Sequence, residues 1–365
     1  MHRRQILKWT FAMGLSGRLY AADAPNGLEA ADQILKQATN SGQVKSATLH
    51  AFRRGKAETR AYGAGTTADS MFLLGSISKP ICVAALMTLF DQNEFQLDDP
   101  LSKFLPKFTG QGREKVTLRQ ALTHTSSLPD QVKENAKLRR SHASLAEFVQ
   151  HAQREPLAFS PGSKYQYSSM GILLAAHVAE LISGKDILSF VDETVFQPLQ
   201  MKHSAQGLGR FAHEDMVPSQ TEFAAPEAGS GDPSAKTWDW NSLYWRKLGA
   251  PWGTTHCSAP DVAKFLSEFL FLSGTILKPA TAKMMRSNQN PACIQPRGLG
   301  FDVSPALGGD GCSKETFGHT GSTGTLAWAD PATETICVVL TSLPGRAVTP
   351  HPRQLASERI AADRG

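Results

Sequence analysis

Ser76 and Lys79 stand three residues apart in Gly75-Ser76-Ile77-Ser78-Lys79, the one Ser-x-x-Lys in the chain. On a helix that offset puts both side chains on one face, with the ammonium in reach of the hydroxyl. Burial disfavours a charged lysine and can lower its pKa toward ~7–8, which makes it a usable base for an otherwise poor nucleophile. At a helix entrance, Ser76 also offers its backbone N–H to a developing oxyanion, where one such donor is worth about 10²–10³ in rate. Taken alone the pattern is weak, since about one chance Ser-x-x-Lys is expected in a chain of this length.

Two further groups belong to the same chemistry. Tyr167 lies in the turn-rich run from Pro161 to Ser169, directly before an apolar stretch that begins at Met170. Beside an ammonium it could act as phenolate or shuttle a proton; standing alone, a loop tyrosine reads as a packing residue. Gly318-His319-Thr320-Gly321-Ser322 has strand composition, and glycine inside a strand marks a close approach by another backbone or a ligand. Ser322 could supply a second oxyanion N–H, and His319 could polarise the site or bind a substrate carboxylate. The alternative for His319 is a strand histidine satisfied by local hydrogen bonds.

Other chemistries find no footing. His213-Glu214 lacks a second histidine four residues after the first, no Gly-x-Ser-x-Gly elbow is present, and Asp130 and the pair Asp98 and Asp99 read as loop and helix-end charges. The five cysteines include no Cys-x-x-Cys. Cys293 and Cys312 could pair in an oxidising compartment or remain as two buried thiols. No metal and no cofactor is called for.

The elements around these residues follow from patterning. Leu28 to Ala38 is spaced as a helix, Ser46 to Phe52 and Glu58 to Tyr62 as two strands, and the run after Ser78 as an apolar helix that tolerates Pro80 in its first turn. Thr117 with Gln120 and Ser144 with Glu147 form capping-box pairs, Asp186 can cap another helix, and the middle of the chain reads as a helical insertion. A Gly/Ser/Pro-rich stretch from about Ala224 to Lys236 leads to Trp238, Trp240, Tyr244, Trp245 and Trp252. These aromatics either wall a cleft or pack a long connection onto the body. Gly298 to Val303, Thr316 to Trp328 and Thr335 to Thr341 have strand composition, and Gln354 to Ala362 reads as a final helix.

The order Ser-x-x-Lys, Tyr-x-Ser, His-Thr-Gly resembles the serine β-lactamase and penicillin-binding protein superfamily, in its class C-like branch of esterases and D-alanyl-D-alanine peptidases. Ala121 to Pro129, Phe159 to Tyr167 and Phe196 to Met201 resemble further segments of that family. The resemblance implies Ser76 as nucleophile, Lys79 as base, Tyr167 as acid/base partner, His319 opposite the nucleophile, and the N–H groups of Ser76 and Ser322 as oxyanion hole. Three residues depart from its pattern. Ser169 stands where the family has asparagine and cannot reproduce an amide's paired donor and acceptor. His319 stands for lysine and attracts a carboxylate less strongly. Ser127 stands for a turn glycine.

The expected fold is α+β: a three-layer α/β/α unit with an antiparallel sheet, built from 25–96 and 255–365, plus a helical domain over 97–254. The expected activity is hydrolysis of an ester or amide through an acyl-enzyme, as an esterase or a D-alanyl-D-alanine carboxypeptidase-like enzyme with weak β-lactamase activity as a further option, on a small-molecule or peptidoglycan-like substrate. The rival reading is a catalytically silent cell-wall-binding module of the same fold.

Composition sets outer bounds. With 41% hydrophobic and 19% charged residues, the 365-residue chain can bury a large core. Arg3, Arg4, Lys8 and Arg18, set against Asp23, carry most of the formal +5 charge, so no basic stripe marks a nucleic-acid partner. Paired arginines, a short apolar run and small residues near Ala24 make 1–24 an expected export signal of twin-arginine type, with a frayed amphipathic helix as the alternative. No later stretch is apolar enough for a transmembrane anchor. Nothing in the sequence sets the oligomeric state.

Overall fold

The structure, a computed structural model, describes residues 26–363. The expected export signal therefore lies outside the described residues. Eight strands are present among them: β1 (Ala47–Arg53), β2 (Lys56–Tyr62), β3 (Phe72–Leu73), β4 (Ser204–Gln206), β5 (Thr255–Cys257), β6 (Phe317–Gly321), β7 (Thr325–Asp330) and β8 (Thr335–Thr341). Five of them form one antiparallel sheet in the order β2-β1-β8-β7-β6. The two ends of the chain thus share one sheet, as the strand-like segments on either side of the helical region led us to expect.

The side-chain period of two along a strand decides what each face of that sheet covers. On β8, Ile336, Val338 and Leu340 belong to the large core that contains Phe265 and Phe269 of the Ala259–Phe271 helix. Cys337 and Val339 point the other way, into a separate core with Leu35 of the Gly27–Asn40 helix and Ile360 of the Pro352–Ala362 helix. All five are fully buried, and every residue of β8 is buried, so the strand reads as a continuous apolar run although its two faces serve different cores. Helices on both faces make the three layers.

Two strand expectations need correction. Gly298 to Val303 contributes only an isolated bridge between Asp302 and Gly318, because Gly300 adopts φ +78°, a left-handed conformation that interrupts an extended chain. Thr316 to Trp328 is two strands and not one, broken by the Gly321-Ser322-Thr323-Gly324 turn in which Gly324 adopts φ +103°. A second sheet, β3-β5-β4, went unanticipated because its strands are two or three residues long. One of them, β4, lies in the middle segment, which is therefore not helical throughout.

Both capping boxes form, at Thr117 and at Ser144, and Asp186 caps Ile187–Val191. The Ser169–Ser183 helix is capped by Ser168, whose hydroxyl accepts from the Gly171 N–H at 2.9 Å, and it ends at Gly184 with φ +70°. Cys293 and Cys312 are not paired and are not both buried: Cys293 is exposed and Cys312 half-buried, while Cys82, Cys257 and Cys337 are the buried thiols. No described helix is long and apolar enough to cross a membrane.

Candidate active site

Ser76 sits in a 3-10 turn, Gly75–Ile77, that runs directly into the Ser78–Asp91 helix. The turn is held from the far end of the chain. Thr323 and Thr325 donate their hydroxyls to the carbonyls of Leu73 and Leu74, each at 2.6 Å, which staples the β6-β7 turn to the backbone just before the nucleophile. Gly75 has to be glycine: it adopts φ +57°, and a Cβ there would lie 2.9 Å from Thr323 Oγ1 and 3.2 Å from the Ser322 nitrogen. Ser76 and Ser322 are brought side by side by this close approach, and both line the same cavity.

Lys79, the second residue of the Ser78–Asp91 helix, is completely buried. Its Nζ donates to Ser76 Oγ at 2.8 Å and to the Trp252 carbonyl at 3.1 Å. Burial, reinforced by the nearby Arg297 charge and opposed by Asp130, lowers its pKa to about 7. The ammonium lies 4.7 Å from the centre of the Tyr167 ring. Burial pushes the Tyr167 phenol up, partly offset by Arg297 and by a side-chain hydrogen bond with Ser76. Burial thus favours the phenol, a form able to pass a proton on, over the phenolate.

The Tyr167 loop rests on His124. This histidine adopts φ +60°; its Nδ1 accepts from the Ser168 N–H at 3.2 Å, its carbonyl accepts from Gln166 N at 2.8 Å, and its ring lies 4.5 Å from that of Tyr167. Burial and the surrounding cations keep it neutral, which lets Nδ1 accept.

Four of the residues expected at the site line the cavity of about 210 Å³: Ser76, Tyr167, Ser169 and Ser322. Lys79 stands behind Ser76, and His319, Thr320 and Gly321 form the strand behind Ser322. Trp240, Trp245 and Trp252 form part of its wall and also belong to the large core, so the two readings of the aromatic cluster both hold for them. Tyr244 instead donates to the Ala143 carbonyl, outside the cavity.

His319 is used differently from expectation. Arg297 donates to its Nε2 at 2.5 Å, and because a guanidinium has no acceptor, Nε2 must carry the lone pair and Nδ1 the proton, which goes to the Thr320 carbonyl at 2.7 Å. Burial and Arg297 push its pKa well down. Both ring nitrogens are thus spent within the protein. Besides Lys79, the positive group near Tyr167 is Arg297, whose guanidinium lies 5.7 Å from that ring. Nothing in Gln295-Pro296-Arg297-Gly298 signalled this, since the contact is tertiary.

Ser169 is likewise committed, its backbone N–H donating to Asp130 Oδ1 at 3.0 Å and its hydroxyl to the same oxygen at 2.5 Å. Asp130, read from sequence as a loop charge, lines the cavity. Asp98 and Asp99 fit that reading, paired with Arg119 and Lys103 on the outside of the molecule. Among the described residues no cluster of ligands could hold a metal ion.

A family model described as Beta-lactamase matches residues 31–359. An esterase of Burkholderia gladioli, EstB, is 33% identical over 190 residues, which are 47% of this chain and 48% of the esterase, so the chain spans about half the length of that relative. The crystal structure of D-amino acid amidase from Ochrobactrum anthropi SV3 complexed with D-phenylalanine superposes with a TM-score of 0.75 at 21% identity, over 92% of this chain and 99% of that one. A D-stereospecific amidohydrolase from a Streptomyces species superposes at 0.71 with 22% identity, over 89% and 97%.

Proposed function

The chain belongs to the Beta-lactamase family, and from that membership we propose that it hydrolyses an ester or amide through an acyl-enzyme on Ser76. The observation that carries the proposal is the 2.8 Å contact between Ser76 Oγ and a Lys79 amine with no exposure to solvent. Lys79, neutral above about pH 7, takes the proton as Ser76 Oγ bonds to the carbonyl carbon. The N–H groups of Ser76 and Ser322 receive the oxyanion. Tyr167 relays the proton to the leaving alcohol or amine as its bond to carbon breaks, and water enters by the reverse sequence to release the acid.

Esters suit this site better than substrates that need an amide-reading side chain. Where an asparagine would offer a donor and an acceptor, the Ser169 hydroxyl already donates to Asp130. The relatives named an esterase and a D-amino acid amidase span the two substrate classes. The composition of residues 1–24 supports action outside the cytoplasm, which detection of a cleaved mature form in the exported fraction would test.

Labelling with a fluorophosphonate followed by intact mass is expected to give a single adduct that Ser76→Ala abolishes; an unmodified wild-type protein would leave only the silent binder. Butyrate esters, D-alanyl-D-alanine amides and cephalosporins then rank the substrates. The pH dependence has a defined sign. As Lys79 must be deprotonated, kcat/KM for an uncharged ester is expected to rise with an apparent pKa near 7. A profile flat from pH 5.5 to 8.5 would remove Lys79 from the base role.

A further inference from the structure

The cavity at Ser76 contains a buried cation that the proposed chemistry does not use. Arg139, on the Asn135–Arg140 helix, lines it while being 99% buried, with a relative exposure of 1%. Its guanidinium carbon lies over Trp245, 3.6 Å from the ring centre. Among the described residues its one side-chain hydrogen bond is from Nε to Asn135 Oδ1 at 3.3 Å, and Nη1 is buried with no partner there. Burial lowers its pKa only to about 10, so it is a cation at neutral pH. Glu227 lines the same cavity and acts on Arg139 through space, yet no described carboxylate forms an ion pair with it.

A buried guanidinium without a counter-ion is costly, and each N–H left unpaired adds to that cost. The surrounding wall repeats the imbalance. Trp245 and Trp252 both line the cavity, and their Nε1–H donors are buried without acceptors. The acids in the lining offset it only in part: Asp130 is occupied by the two hydrogen bonds from Ser169, and Glu227 acts on Arg139 through space without forming an ion pair. Arg346 adds a second cation to the lining, this one exposed.

Resting on the proposed hydrolase reading, we infer that Arg139 is the anchor for a carboxylate carried by the substrate, so that the enzyme acts on esters or amides of short, acid-bearing molecules. The carboxylate accepts from Arg139 Nη1 and from the indole N–H groups beside it, and the tryptophan faces cover its apolar chain. The volume fits a small molecule: about 210 Å³ corresponds to roughly seven waters at ~30 Å³ each.

The test compares kcat/KM for the 4-nitrophenyl hemiester of glutarate with that for its methyl-capped neutral analogue and for 4-nitrophenyl 6-aminohexanoate. The butyrate ester of 4-hydroxybenzoate, compared with phenyl butyrate, places the carboxylate on the leaving group instead. One of the two carboxylate probes is expected to beat its neutral partner by roughly 10- to 100-fold, the range for a hydrogen bond to a charged group. Arg139→Met should bring that ratio to near one, and Arg139→Lys should keep part of it. Calorimetry with monomethyl glutarate on Ser76→Ala and on Ser76→Ala/Arg139→Met reads binding without turnover. Arg139-dependent binding in a protein that hydrolyses nothing would sustain the anchor and sink the hydrolase. Turnover of neutral or ammonium-bearing esters at least as fast as both acidic probes would overturn the anchor and leave the hydrolase standing.

Discussion

Replacing Lys79 by methionine is expected to lower kcat/KM by about 10²–10⁴, the usual contribution of a positioned base, without lowering the melting temperature. The two halves of this expectation come from one fact, the complete burial of Lys79. A buried lysine is an adequate base only because the protein makes its protonated form unfavourable, leaving a neutral amine, and the same penalty weighs on the folded state. Methionine keeps the length of the stem and removes the charge. Its loss to stability is the two hydrogen bonds to Ser76 Oγ and to the Trp252 carbonyl, about 1 kcal/mol each. The folded pKa of about 7 lies below the unfolded value of 10.5, so the penalty is fully present below pH 7 and is relieved as pH rises toward 10.5. Thermal melts at pH 6 and pH 9.5 should therefore favour the variant more at the lower pH. A methionine variant that hydrolyses esters as well as wild type would dismiss Lys79 from the chemistry.

How far the sequence reveals this site depends on the range of the interaction. Ser76 and Lys79 are legible because a helix fixes their relation within four residues, and the capping pairs at Thr117 and Ser144 are legible for the same reason. The five-stranded sheet follows from strand composition at both ends, although the glycines that break Gly298 to Val303 and split Thr316 to Trp328 were read as strand interior. Arg297 and Asp130 gave no signal. The first acquires its role only when it meets His319 from 22 residues away, the second when it receives Ser169 from 39 residues away. Arg139 is more hidden still, since an arginine between Leu138 and Arg140 on a short helix looks like a surface charge until the tryptophan wall closes over it. Local geometry can be read from spacing; the electrostatic setting of a site depends on contacts that only the fold creates.

Gly321→Ala is expected to reduce kcat by about 10²–10³ by displacing one oxyanion donor, with a loss of about 1–3 kcal/mol in stability from overpacking. The position is not strained by its backbone angle; space is what excludes a side chain. A Cβ at Gly321 would lie 2.1 Å from the Leu74 carbonyl and 2.2 Å from Thr325 Oγ1, in the middle of the hydrogen bond those two atoms make with each other. Neither neighbour is free to yield. Leu74 is the residue before Gly75, and the Gly321 carbonyl is itself gripped by Arg353 Nη1 at 2.5 Å, which also holds the Thr325 carbonyl at 2.7 Å. The added methyl must therefore push the end of β6 away from the nucleophile turn, and Ser322, the next residue, moves with it. Measured at 25 °C and normalised to active sites titrated by a phosphonate, the rate separates the two effects: lost stability lowers the amount of active enzyme, whereas a misplaced N–H lowers turnover per site. A variant that melts early yet turns over normally at each site would mean that the Ser322 N–H does not receive the oxyanion.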